Sequence, residues 1–137
     1  MSAVYETSVL ERLGGEEAVQ RWVTAFYDAI ARDPLLAPLF SSDLALSREK
    51  QFAFFVQFLG GPARYSERFG RPFLRYLHRK VRIGQEERDT WMRLLLESLR
   101  AVTADEDLIG YLERKIAPVA DHMINHRPER KDAQFFN

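Results

Sequence analysis

Apolar residues recur at three- and four-residue steps along most of this chain, and that spacing constrains its fold more than any other feature. Within 16–33, Val19, Trp22, Val23, Phe26 and Ile30 fall on one face of a helix. Trp91, Leu94, Leu95, Leu99 and Val102 repeat the stripe over 85–102. A last helix starting at Asp105 repeats it again with Leu108, Leu112, Ile116, Val119 and Met123. Strand signals are nearly absent, with no alternating β-branched run and no Asn-Gly or Asp-Gly turn. The expectation is an all-α chain of about six helices.

Breakers divide these stripes. Ser8 with Glu11 makes a capping box for a short opening helix that reaches Leu13 and stops at Gly14-Gly15. Pro34 ends the next helix, because the residue before a proline avoids helical geometry. A connection through Pro38 and Phe40 follows. A further helix is expected from near Asp43 to Leu59, halted by Gly60-Gly61-Pro62. The stretch 61–70 reads as a loop. Pro72 suits the first turn of a short helix running to about Lys80, and Gly84 separates that piece from 85–102. Pro118 lies inside the last helix and predicts a kink. With 137 residues the chain suits one domain, taken as 1–126, followed by a polar C-terminal tail over 127–137.

Composition excludes several function classes. Twenty acidic and twenty basic side chains cancel, which argues against nucleic acid or an anionic membrane as partner. No apolar run approaches the roughly 18 residues of a spanning helix, and the N-terminus lacks the pattern of a signal peptide. The absence of cysteine excludes disulfides, zinc–thiolate and iron–sulfur sites, and covalent CxxCH haem attachment. A cytoplasmic location is expected. Neither Gly14-Gly15 nor Gly60-Gly61 has the spacing of a nucleotide-binding motif, and no nucleophile elbow is present.

The scarce groups are three histidines. His122 and His126, four apart, can face one way as metal ligands, but Met123 stands where a zincin helix carries glutamate, which favours a solvated helix end. His78 lies one residue from Leu77 and four from Leu74, at the apolar side of a short helix. Six basic residues surround it (Arg68, Arg71, Arg75, Arg79, Lys80, Arg82) with no acid between Arg68 and Gln85. That run reads either as a solvated basic face or as an anion site beside a metal ligand, such as the two carboxylates of a haem require. Ser47, Gln51, Phe54, Phe55 and Phe58 form a helix face that is aromatic at one end and polar at the other. It suits either a core helix with Gln51 at its edge or the wall of a pocket. Tyr27 and Trp91 each carry a polar end that seeks a partner when buried.

Together these residues resemble a truncated haemoglobin, most closely the second group of that family, over about residues 5 to 126. The resemblance is carried by Arg12-Leu13-Gly14-Gly15, Ala25-Phe26-Tyr27, Pro38-Leu39-Phe40, Lys50-Gln51-Phe52 and Leu59-Gly60-Gly61-Pro62. It continues through Tyr65-Ser66-Glu67, Leu74-Arg75 leading to His78, Ile83-Gly84, and Glu87-Arg88-Asp89-Thr90-Trp91. No fragment is specific alone; their order and spacing are.

The resemblance implies a truncated globin-like two-over-two helical sandwich holding haem b non-covalently. It makes His78 the proximal iron ligand and Tyr27, Gln51 and Trp91 the distal groups that stabilise a bound ligand. Ser47 matches the position where other globins often carry a distal histidine, so a small residue leaves an open entrance. Phe40 matches an aromatic that packs on the haem, and Phe54 and Phe55 belong to the same pocket. Lys50, Tyr65 and Arg75 are the implied propionate contacts. Relatives commonly read Met-Arg-His followed by Pro-Phe, whereas this chain has Tyr76-Leu77-His78-Arg79-Lys80-Val81. The loop after His78 thus lacks the proline.

Expected partners are O2, CO, NO or similar small ligands, with the protein a monomer or homodimer. The same pocket suits an alternative role in nitric oxide detoxification or peroxidase-like chemistry, which requires an external reductase. A third reading, without haem, is a helical module whose basic face binds an anion. Net neutrality argues against it.

Overall fold

Seven α-helices and one 3-10 turn form the regular structure of the described residues, 8–40 and 44–126 of a computed structural model, with no strand among them. The all-α expectation holds. Helix α1 (Val9–Leu13) opens on Ser8, whose hydroxyl accepts from the Glu11 amide at 3.1 Å. Gly14, at φ 123°, turns the chain directly into α2 (Gly15–Arg32). A Cβ on Gly14 would also meet that of Ala18 at 3.0 Å, so both backbone and space favour glycine there.

All five residues of the first apolar stripe are fully buried on α2. That helix packs against both α3 (Ala45–Phe58) and α6 (Gln85–Arg100), and α6 packs against α7 (Glu106–Met123). The result is two helix pairs laid one over the other, the two-over-two arrangement. Trp22 ties three of these helices together. Its ring stacks on Phe55 of α3 with centroids 4.5 Å apart and planes 6° apart. Its indole N–H donates to the Leu95 carbonyl of α6 at 3.0 Å, satisfying a polar group in the core.

Charged pairs fasten the periphery. Arg12 bridges both carboxylate oxygens of Asp105, at 2.9 and 3.1 Å, and Asp105 itself caps α7 by accepting from the Leu108 amide. Arg64 holds Glu16 in the same two-pronged way, at 2.7 and 2.8 Å. Such exposed pairs contribute little individually.

Two sequence expectations need correction. The stretch read as a loop contains α4 (Arg64–Phe69). Six residues are too few to display a periodic stripe, and this turn exists because tertiary contacts hold it. The Gln57 side chain donates to the Ser66 hydroxyl and accepts from the Ser66 amide, both at 2.9 Å, while Tyr65 packs edge-on against Phe54. The helix expected from Pro72 to Lys80 is one turn only, α5 (Leu74–Leu77). Pro72 precedes it, and His78 caps it. At the far end of α3 the difference is a single position: the helix ends at Phe58, and Leu59 caps it. The expected start near Asp43 lies outside the described residues, as does the tail over 127–137.

Gly61 turns the chain after α3 at a point where backbone must approach side chains closely. A Cβ there would lie 2.6 Å from Leu10 and 2.8 Å from the Val56 carbonyl. Pro118 sits within α7, and the helix continues past it to Met123.

Candidate functional site

Between the two helix pairs lies a cavity of about 410 Å³, within the range of small-molecule and cofactor sites. Its lining is mainly aliphatic and aromatic. Tyr27, Phe40, Ser47, Lys50, Gln51, Phe54, Phe55, Tyr65, His78 and Trp91 all contribute to its wall, so sequence-predicted site residues from distant parts of the chain converge on one space. Arg75 is the exception: it is exposed on α5 and does not line the cavity.

The cavity's aromatic frame is interlocked. Tyr27 meets Phe26 and Phe40 edge-on, at 5.3 and 5.8 Å between centroids, and Trp91 meets Phe26 edge-on at 5.4 Å. Phe54 stacks with Phe58 at 5.5 Å. These contacts hold Tyr27 and Trp91 in place through their rings and leave their polar ends free. Among the described residues, neither the Tyr27 hydroxyl, nor the Trp91 indole N–H, nor the Gln51 amide has a hydrogen-bond partner. Burial pushes the Tyr27 pKa well above the ordinary tyrosine value, because a phenolate there would be unsolvated. Tyr27 is therefore a neutral O–H group. Tyr65, also buried, shifts in the same direction for the same reason.

His78 occupies the end of α5. Its Nδ1 lies 2.7 Å from the Leu74 carbonyl oxygen. A carbonyl only accepts, so the proton of this bond sits on Nδ1, and Nε2 is the nitrogen that carries the lone pair whenever the ring is neutral. That is the tautomer a metal ligand needs, with the ring's second nitrogen already oriented. Leu74, Leu77 and Val81 line the cavity around it.

Several contributors were not singled out in the sequence. Ile116, Val119, Ala120 and Met123 of α7 form part of the wall; three of them belong to its apolar stripe, which did not reveal that a stripe can face a cavity as well as a core. Glu87 and Arg88 line it from the first turn of α6. Glu87 accepts from the Gly84 amide at 2.8 Å and so caps that helix. Arg88 places Nε 2.8 Å from Asp121, an ion pair that lacks the alignment of a hydrogen bond, and donates through Nη1 to Asp89 at 3.1 Å.

Asn125 was missed entirely. It lies two residues beyond α7, yet its side chain spans the loop that follows His78. Its amide N–H groups donate to the carbonyls of His78 at 3.2 Å and Val81 at 2.7 Å, and its oxygen accepts from the Ile83 amide at 2.8 Å. No local pattern announces a residue whose partners lie so far away along the chain. His126 contacts Arg82 at 2.6 Å; His122 and His126 are both exposed, and no cluster of metal-ligating side chains occurs among the described residues. No helix of the described residues is long and apolar enough to cross a membrane.

Comparison with known proteins matches this architecture. The model of the family described as bacterial-like globin aligns with residues 8–125. A group 2 truncated hemoglobin, YjbI of Bacillus subtilis, is 36% identical over 111 residues, covering 81% of this chain and 84% of the relative. The crystal structure of the group II truncated hemoglobin of Bacillus anthracis superposes with a TM-score of 0.84 at 29% identity, covering 92% of this chain and 97% of that one. The X-ray structure of a truncated oxygen-avid haemoglobin from Bacillus subtilis gives 0.82 at 34% identity, over 87% of this chain and 100% of that one. The neighbours share the two-over-two helical framework, and family membership implies haem as the cofactor. This chain belongs to the bacterial-like globin family, among its truncated haemoglobins.

Proposed function

We propose that this protein binds haem b non-covalently through His78 and reversibly takes up O2 and other small diatomic ligands beside Tyr27, Gln51 and Trp91. One observation carries the reading: an imidazole whose Nδ1 is held by a backbone carbonyl and three polar groups without partners among the described residues line the same largely apolar cavity. The residues fit the group. An unprotonated Nε2 is a lone-pair donor suited to iron, and the aromatic walls offer flat apolar surface for a flat macrocycle. Lys50 and Tyr65 supply a cation and a hydroxyl for carboxylates. Arg75, exposed on α5 and outside the wall, can serve only a carboxylate that reaches the solvent side.

Haem supplies a ferrous iron that accepts a diatomic ligand. The chain's own residues decide how long the ligand stays. Tyr27 is kept protonated by burial, so its hydroxyl is a donor throughout the physiological pH range. The indole of Trp91 and the amide of Gln51 add two further N–H sources. A donor in an apolar enclosure interacts more strongly with developing negative charge than the same donor in water. Ser47, small and half-buried at the wall, leaves room for entry. A relative described as oxygen-avid supports O2 as one of the ligands.

The test is spectroscopic. Purified protein titrated with haem is expected to develop a Soret band that saturates at one haem per chain and shifts after dithionite and CO. A His78→Ala protein with an unchanged spectrum would refute the assignment of the iron ligand.

A further inference from the structure

The segment between α5 and α6, residues 78–84, contains no helix and no proline. Its shape must come from elsewhere. Within the segment, the Val81 amide donates to the His78 carbonyl at 3.0 Å, and that is its one internal backbone hydrogen bond besides those capping its ends. The rest of its backbone is fastened mainly from the end of α7. Asn125 uses both amide N–H groups and its amide oxygen on three different backbone groups of the segment: the carbonyls of His78 and Val81 and the amide of Ile83. The Ile83 carbonyl in turn accepts from the backbone amides of Asn125 at 2.9 Å and His126 at 3.0 Å.

The pattern is specific to asparagine. Two carbonyls on one side demand donors, and one N–H on the other demands an acceptor, which fixes the orientation of the amide. A carboxylate of equal size would set an oxygen against two carbonyls. Asn125 is itself exposed, so this arrangement is not a by-product of core packing. Its neighbour Ile124 is buried. The held loop carries His78 at its start and Val81 and Ile83 within it, and all three line the cavity.

We infer that Asn125 is a positioning residue: by clamping the loop after His78 onto the end of α7, it sets the placement of the His78 imidazole and so the retention of the group that His78 holds. This rests on the assignment of His78 made above. Asn125 does not line the cavity, and it acts through the backbone of His78, Val81 and Ile83.

The experiment compares Asn125→Ala with Asp105→Ala, which removes the cap at the opposite end of the same helix. Backbone hydrogen exchange at Val81 and Ile83 is measured on the protein before haem is added. Haem loss to excess apomyoglobin and the iron–histidine stretching band are measured on the loaded ferric and ferrous forms respectively. Asn125→Ala is expected to raise exchange at Val81 and Ile83 and the rate of haem loss by about tenfold each, and to shift or broaden the iron–histidine band. Asp105→Ala should lower the melting temperature while leaving these three readouts near wild type. Asn125→Asp, which keeps only the acceptor, should behave like the alanine variant, and it serves if the latter does not fold. Unchanged exchange and haem loss in the Asn125 variants, or equal changes in Asp105→Ala, would overturn the inference. If the wild-type chain takes up no haem, the assignment of His78 falls and the positioning role falls with it; exchange at Val81 and Ile83 still reports separately on the clamp.

Discussion

The two walls of the cavity are built by different physics. Tyr27 belongs to an 18-residue helix whose whole inner face is buried, in a core braced by the Trp22–Phe55 stack. His78 ends a helix of four residues, beside Phe73, Tyr76 and Leu77, which are 60%, 61% and 51% exposed. One wall is held by apolar burial spread over many side chains. The other is held by a few directional bonds, from the His78 ring to the Leu74 carbonyl and from Asn125 to the loop. Burial is tolerant of small displacements and costly to remove, whereas hydrogen bonds set position sharply and can be lost one at a time. A pocket made this way has a rigid side that presents donors and a more easily loosened side that carries His78, the proposed iron ligand.

Substitutions on each wall should separate these roles. The largest effect is expected from His78→Ala, which should abolish the stoichiometric Soret band while leaving the helical circular dichroism of the remaining structure largely intact. Next is Trp22→Ala, which removes the Phe55 stack and the bond to Leu95. It should cost about 3–5 kcal/mol in urea unfolding. In protein that remains folded, the iron–histidine band should be little changed, because Trp22 braces the opposite wall. A shifted band would show that the walls are coupled through the core.

Tyr27→Phe is a smaller and sharper probe. It removes one hydroxyl without removing the ring that packs on Phe26 and Phe40. O2 dissociation measured by stopped flow should accelerate about tenfold if that hydroxyl is the principal donor. An unchanged rate would move the role to Gln51 or Trp91. Stability should hardly change, since the hydroxyl has no protein partner to lose among the described residues.

The smallest effect concerns pH and the ion pair that joins α4 to α2. The hydrogen bond from Arg64 holds the Glu16 carboxyl below its ordinary value of 4.5. A depressed carboxyl pKa contributes stability that is fully present above the unfolded value and is lost as pH falls through the folded one. Glu16→Gln should therefore lower stability slightly at neutral pH and converge on wild type as pH falls below 4.5, flattening a minor part of the acid limb. Thermal melts across that range check the sign. A loss of stability at neutral pH as large as that of Trp22→Ala would contradict the division between core and surface.

Much of the fold was legible because its signals are local. A helix stripe is read within one segment, and Val19, Trp22, Val23, Phe26 and Ile30 are all buried where their spacing puts them. The caps at Ser8 and Asp105 also lie within three residues of the amides they serve. Helix α4 was not legible, since its six residues are stabilised by Gln57 and Phe54 rather than by their own periodicity. Arg75 stood out by charge and by its place in a familiar run, but on a one-turn helix a neighbouring position can face solvent instead of the cavity.

By itself the sequence determined the number and extent of the long helices, the faces they bury and the family to which their order is similar. Those properties follow from periodicity and capping, which act over a few residues. The tertiary structure alone decided that residues from helices far apart in the chain share one cavity, that the His78 Nδ1 meets the Leu74 carbonyl, and that Asn125 secures the loop beyond it. The last of these joins positions separated by 42 to 47 residues. Contacts at that range depend on how helices are stacked, and only the packed core brings α7 within reach of His78.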